Sequence, residues 1–226
     1  MEASLAIPRD VAVGPDDSVY IVDQLNQRIR RVCGGEWYVA LAGDSWHMVT
    51  LPGGCVEPQP HFVFDELLPP LSPFDMLSGC LHRYDHDRQG YETYYDWAPT
   101  PLGPVTPGDG YWLWVHDDIT ICYRATPPGE PVTVHFPTSG WYLFGSPRAE
   151  DVPVEACTVY HGGDALPFTD AANVWIQDPL LFYDAATHSY ASCGVSPLDT
   201  DHHLRAFRGY WLCTFVDDVT LEVPGA

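Results

Sequence analysis

The chain contains no lysine. Its cationic complement is ten arginines against 31 acidic side chains, a formal net charge of −21 over 226 residues. That field excludes a nucleic-acid partner, because binding a phosphate backbone needs clustered cations. It also disfavours anionic lipid surfaces, while neutral or cationic ligands and divalent cations stay compatible with it. No stretch approaches the roughly 20 apolar residues of a bilayer span, so no membrane insertion is expected. Met1 to Arg9 has no apolar core behind a basic stretch, so this segment holds no signal peptide. Cysteine is scarce and odd in number, at seven, and no Cys-x-x-Cys pair occurs. The missing pair argues against a structural zinc site and against a thioredoxin-like role. One or two disulfides would suit an oxidising compartment, with at least one thiol left over.

What the chain does have is a repetition. Trp46 with Pro52 returns as Trp141 with Pro147, a shift of 95. Tyr84-Asp85 returns as Tyr183-Asp184, and Gly110-Tyr111-Trp112-Leu113 as Gly209-Tyr210-Trp211-Leu212, a shift of 99. Asp117-Asp118 before Ile119-Thr120-Ile121 returns as Asp217-Asp218 before Val219-Thr220-Leu221, a shift of 100. A duplicated unit of this size is a domain. Its β-rich runs of about five residues, separated by regular turns and without a long amphipathic helix, predict an all-β fold. The expected architecture is two tandem β-sandwich or jelly-roll-like domains. Ser72-Pro73 before Gly79 predicts one short helical turn between strands of the first copy. The boundaries read as a leading unit over 1–43, copy 1 over 44–126, linker and lead strand over 127–137, and copy 2 over 138–226.

The leading unit alternates apolar and small residues around Gly14-Pro15-Asp16-Asp17, a hairpin signal, and a further strand begins near Arg28. This stretch, about 5–43, resembles one NHL repeat, the blade of certain six-bladed propellers. The resemblance implies that the chain is the C-terminal part of a longer protein. A lone blade cannot bury both faces. The sequence therefore predicts its packing on copy 1 or on a second chain, giving a homodimer. The alternative is a free-standing hairpin resting on the next domain.

The Trp-x5-Pro opening, the Tyr-Asp hairpin and the closing Gly-Tyr-Trp-Leu strand, over about 43–125 and 138–224, resemble a β-rich module found near the C-termini of secreted bacterial surface proteins. That resemblance implies export or display, with adhesion or glycan contact, and transfers no catalytic residue.

The candidate chemistry begins with aromatic side chains. On a strand Trp112 and Trp114 share one face while Tyr111, Leu113 and Val115 share the other. One face must be core; if the Trp face is open, it forms a stacking platform for a sugar, with Asp117 to bond hydroxyls. Trp97, Tyr91, Tyr94 and Tyr95 would extend it. The bland alternative buries both Trp in the sandwich. Second, His82, Asp85 and His86 cluster on one hairpin, a donor set suited to zinc or another divalent metal. No HExxH-type frame supports it, and solvated turn residues explain the cluster equally. Cys157 and His161 lie too far apart for a ready dyad, and the repeated Asp pairs read as turn chemistry. The functional expectation is an extracellular binding or display fragment contacting a polysaccharide or protein surface through aromatics. The rival is a metal-dependent hydrolase of esterase or phosphoesterase type.

Overall fold

The computed structural model describes residues 8–14, 19–24, 28–32, 37–64, 67, 77–95, 97 and 102–225. The protein is all-β, built from several antiparallel sheets with none closed into a barrel. The predicted turn at Ser72 lies outside the described residues. Among those residues no helix is long and apolar enough to cross a membrane.

The chain opens with a separate three-stranded antiparallel sheet of β1 (Pro8–Val13), β2 (Val19–Asp23) and β3 (Arg28–Val32). The expected hairpin is therefore present. Its expected covering by copy 1 is not seen at β1, which is exposed at every position.

Copy 1 begins earlier than the repeated landmarks imply. Strand β4 (Trp37–Leu41) leaves the leading unit and pairs with a strand of the first copy. After it come β5 (Ser45–Thr50), β6 (Gly54–Cys55), a one-turn helix α1 (Pro60–Val63), β7 (Leu81–Asp85) and β8 (Gly90–Thr93). Strands β9 (Gly110–Val115), β10 (Ile119–Tyr123) and β11 (Ala125–Thr126) finish the copy. One sheet has the order β5-β9-β7-β8; β4 pairs with β10, and β6 with β11.

Copy 2 repeats this plan with a fuller second sheet. Its strands are β12 (Val132–Phe136), β13 (Gly140–Gly145), β14 (Val152–Pro153), β15 (Thr158–His161) and β16 (Asp164–Pro167). A second one-turn helix, α2 (Phe168–Ala171), precedes β17 (Leu180–Asp184) and β18 (Ser189–Cys193). The last strands are β19 (His203–Leu204), β20 (Gly209–Thr214) and β21 (Val219–Val223). The sheets run β13-β20-β17-β18 and β12-β21-β15-β16. The first matches β5-β9-β7-β8 strand for strand, and β12 on β21 matches β4 on β10.

The Gly-Tyr-Trp-Leu strands are inner ribbons, each with one face in the core of its own copy. In β9, Tyr111, Leu113 and Val115 are fully buried; in β20, Tyr210 and Leu212 are. Full burial of a phenol is tolerated because its hydroxyl is paired. Tyr111 accepts from the Thr106 N–H at 3.1 Å, and Tyr210 from the Arg205 N–H at 2.7 Å. Burial pushes both phenols far above the usual tyrosine range.

The two copies meet around a local twofold. The Thr50 N–H donates to the Phe207 carbonyl at 3.1 Å, and its counterpart, the Gly145 N–H, donates to the Gly108 carbonyl at 3.0 Å. Val49 bridges Arg208 as Phe144 bridges Asp109. Such exchange of partners is what an isologous interface produces. Met48 and its counterpart Leu143 are buried yet belong to neither core cluster, since they fill this seam. The backbones come so close that side chains are excluded. A Cβ on Gly110 would sit 2.8 Å from Leu143 Cγ, one on Gly209 3.2 Å from the Val49 nitrogen, and one on Gly145 would fall on Thr50.

A charged latch closes copy 2. The Asp201 carboxylate takes Arg205 Nε and Nη2 at 2.8 and 2.9 Å and Arg208 Nη1 at 3.1 Å. Arg205 also reaches Asp151 at 2.8 Å, and Arg208 lies over the Phe182 ring at 4.2 Å. Burial alone would raise the Asp201 pKa, but the Arg205 bonds and the His203 and His202 N–H groups outweigh it and hold the carboxyl below its ordinary value.

Two stability predictions follow from the seam and the latch. Gly145→Ala should lower stability by about 1–3 kcal/mol through overpacking. Gly129→Ala, where a Cβ meets nothing within 4 Å, should be neutral in the same thermal melts. Asp201→Asn should destabilise at pH 7 by about 1–3 kcal/mol, since its arginines lose a charged partner. Because the native pKa is depressed, the Asp201 contribution is complete above the unfolded value and disappears as pH falls through the native one. Parent and variant should therefore converge as the pH falls through the acid range, and a gap in denaturant titrations that does not narrow with falling pH would count against the latch.

Candidate functional site

The face of each Gly-Tyr-Trp-Leu strand that does not enter its own core looks onto the other copy. Trp112 lies edge-on to Tyr183 at 5.3 Å and near Tyr190 at 6.4 Å. The twofold counterparts repeat this: Trp211 lies edge-on to Tyr84 at 4.9 Å and near Tyr91 at 6.5 Å. Trp46, opposite Trp114 in the β5–β9 register, packs on both Trp112 and Trp114. Trp141 packs on Trp211 in the same way.

Two clefts result, related by the same twofold. The first, of about 490 Å³, is lined by Trp46, His82, Tyr91, Thr93, Trp112 and Tyr183. The second, of about 290 Å³, is lined by Tyr84, Trp141, Leu181, Tyr190 and Trp211. Allowing for the shifts of 95 and 99, every residue of the second has its counterpart in the first. Each cleft takes walls from both copies, so neither copy makes one alone. Tyr91 and Tyr190 stand at the mouths, 53% and 54% exposed.

Among the described residues, no carboxylate or arginine lines these walls. His82 is the one titratable side chain other than phenols, and burial lowers its pKa against the raising effect of the Gly79 carbonyl. Its Nδ1 lies 2.9 Å from Thr93 Oγ1. Burial raises the Tyr91 phenol, and nearby Tyr190 adds to this; the Trp112 indole N–H, donating to the same hydroxyl, opposes it.

The sequence-derived candidates divide. Trp112 lines the first cleft, and Trp114 continues its aromatic wall by packing on Trp46 and donating its indole N–H to His116 Nδ1 at 3.2 Å. Tyr94 is corrected. It is 5% exposed and lies in the core of copy 1, because alternation along β8 sends Tyr91 and Thr93 to the cleft and Tyr94 to the opposite side. Trp97 is 75% exposed and stacks on Tyr95 at 4.9 Å, but does not line the cleft. Asp117 sits exposed in the β9–β10 turn, where its neighbour Asp118 accepts the Gly43 N–H at 2.8 Å.

His82, Asp85 and His86 do not converge, and among the described residues no group of three His, Cys, Asp or Glu side chains is placed to hold a metal. His82 faces the cleft. Asp85 alternates to the other side of β7 and accepts the Arg88 N–H at 3.1 Å. His86 crosses to copy 2, stacked on Tyr142 at 4.2 Å. Its Nδ1 donates to the Trp141 carbonyl at 2.9 Å, and its Nε2 is hydrogen-bonded to Thr138 Oγ1 at 2.6 Å. Cys157 is buried and its thiol is pushed up to about 12, while His161 is bonded to the Asp217 carbonyl, so they form no dyad.

Trp46, Thr93 and Tyr183 complete the site without having been singled out from sequence. The signal for Trp46 and Tyr183 was their repetition as Trp141 and Tyr84, aromatics that neither core uses. Thr93 carries no such signal. No family model, curated protein or solved structure compared with the chain matches it.

If no metal site exists on the β7–β8 hairpin, a chelator should leave the melting temperature unchanged, and equimolar zinc should not raise it. A zinc-dependent rise lost in His82→Leu would restore the hairpin as a ligand set.

Proposed function

We propose that this protein is a non-catalytic binding module for neutral polysaccharide, displayed outside the cell. The observation that carries the reading is the pair of uncharged aromatic clefts between the copies, with Trp and Tyr rings that stay partly open to solvent. A sugar ring offers an apolar face to such rings and hydroxyls to phenol, threonine and imidazole. The absence of carboxylates and arginines among the described wall residues favours an uncharged glycan, and a net charge of −21 repels acidic ones. A disulfide at Cys122 supports an oxidising, extracytoplasmic setting.

The test is affinity electrophoresis through gels holding hydroxyethylcellulose, glucomannan, xylan, dextran or soluble starch. At least one should retard the protein. Tyr91→Ala, at the mouth of the first cleft, should weaken that retardation about threefold to tenfold without shifting the melting temperature, the worth of one ring contact. No retardation by any of these polymers would overturn the reading. So would retention of full affinity in a Tyr91→Ala, Trp112→Phe double variant. Binding of a polyproline peptide in place of all five glycans would replace the partner with a protein.

A further inference from the structure

The two clefts occupy equivalent places but do not have equivalent walls. In copy 1 the cross-strand pair His82 and Thr93 brings an imidazole and a hydroxyl to the cleft wall, hydrogen-bonded to each other at 2.9 Å. Copy 2 has Leu181 opposite Ser192 at the same register. Leu181 offers no hydrogen bond, and the Ser192 hydroxyl is turned to accept the Thr200 N–H at 3.1 Å.

Tyr84, in the second cleft, already donates its hydroxyl to Gln89 Oε1 at 3.1 Å. The first cleft is also the larger, at about 490 against 290 Å³.

We infer that only the first cleft is a working saccharide subsite, and that His82 and Thr93 are the pair that determines its specificity. The inference rests on the glycan reading and deepens it. A sugar is distinguished from any other flat apolar body by its hydroxyls, and a wall that pairs none of them leaves those groups desolvated and unsatisfied. The second cleft keeps its phenols but has neither an imidazole nor a threonine hydroxyl in its described walls, so it leans on stacking, which discriminates little. That cleft then serves to hold the copies together, as aromatic packing between the sheets.

The experiment is calorimetric titration with the hexasaccharide of whichever polysaccharide retards the protein most. One hexasaccharide per chain is expected. His82→Leu gives the first cleft the wall that copy 2 already folds with, so the fold should survive while affinity falls about tenfold, the worth of one buried polar contact. His82→Gln, which keeps a hydrogen-bonding side chain, should stay within about threefold of the parent. Converting the second cleft with Leu181→His and Ser192→Thr together should raise the stoichiometry toward two.

Two equal sites in the parent, or an unchanged affinity in His82→Leu, would overturn the inference while leaving the glycan reading intact. A chain that no polysaccharide retards fails at the earlier step and takes this inference with it.

Discussion

At Gly110, Gly145 and Gly209 the backbones of the two copies approach within the thickness of a side chain, and the rest of the molecule is arranged by that contact. Only glycine permits it, and not for its turn-forming freedom at Gly110 or Gly209, whose φ values are unexceptional. The reason is volume: any Cβ there would meet backbone or Leu143. Once the sheets are this close, the outward faces of β9 and β20 no longer see solvent alone. Trp112 and Trp211 each fall against tyrosines of the other copy, and the space left beside them becomes the two clefts.

Duplication explains why the contact is twofold. A surface that meets its own copy must be self-complementary, so each favourable pair appears twice. Joining the copies through residues 127–131 makes that meeting intramolecular, at the high effective concentration of a short linker. The joined copies are then free to diverge, and they have. His86 clamps copy 1 onto Thr138 and Trp141, where copy 2 has Ala185. Phe207 packs into the core of copy 1, where the counterpart in copy 1 is Gly108. Trp114 is answered by Cys213, and His82 by Leu181. The interface keeps its repeated frame while the exposed chemistry gathers on one side.

How much of this the sequence could disclose follows from the range of each interaction. The existence of short strands such as Leu81–Asp85, Thr158–His161 and Val219–Val223 is legible in the β-rich runs, because alternation and turn chemistry are local signals. The two faces of Trp112 and Leu113 were legible for the same reason. What covered the Trp face was not, since that depends on Tyr183 and Tyr190, more than 70 positions away. The same blindness misplaced Tyr94, one residue beyond the end of β8, where counting faces requires the register. It also placed Trp37–Leu41 with the leading hairpin. That strand shares only Val39 with its counterpart Val132–Phe136, so the repeat was invisible there and the β10 partner decides its membership. His82, Asp85 and His86 looked like a ligand set because proximity in sequence was mistaken for convergence; on a strand, residues three apart point opposite ways.

Walls drawn from both copies make binding and domain docking one equilibrium. A sugar in the cleft that Trp112 and Tyr183 help to line would have no site on separated copies, so it would bind only the docked form. Mass action then stabilises docking by RT ln(1 + [L]/Kd), which reaches about 2.7 kcal/mol when the ligand is at a hundredfold its Kd. The converse holds with equal force. Anything that loosens the glycine seam lowers the population able to bind, and apparent affinity falls by that fraction even when every cleft residue is intact. The seam and the cleft are therefore not a scaffold and a site placed side by side. The seam sets the distance between the rings, and that distance is what a ligand would recognise.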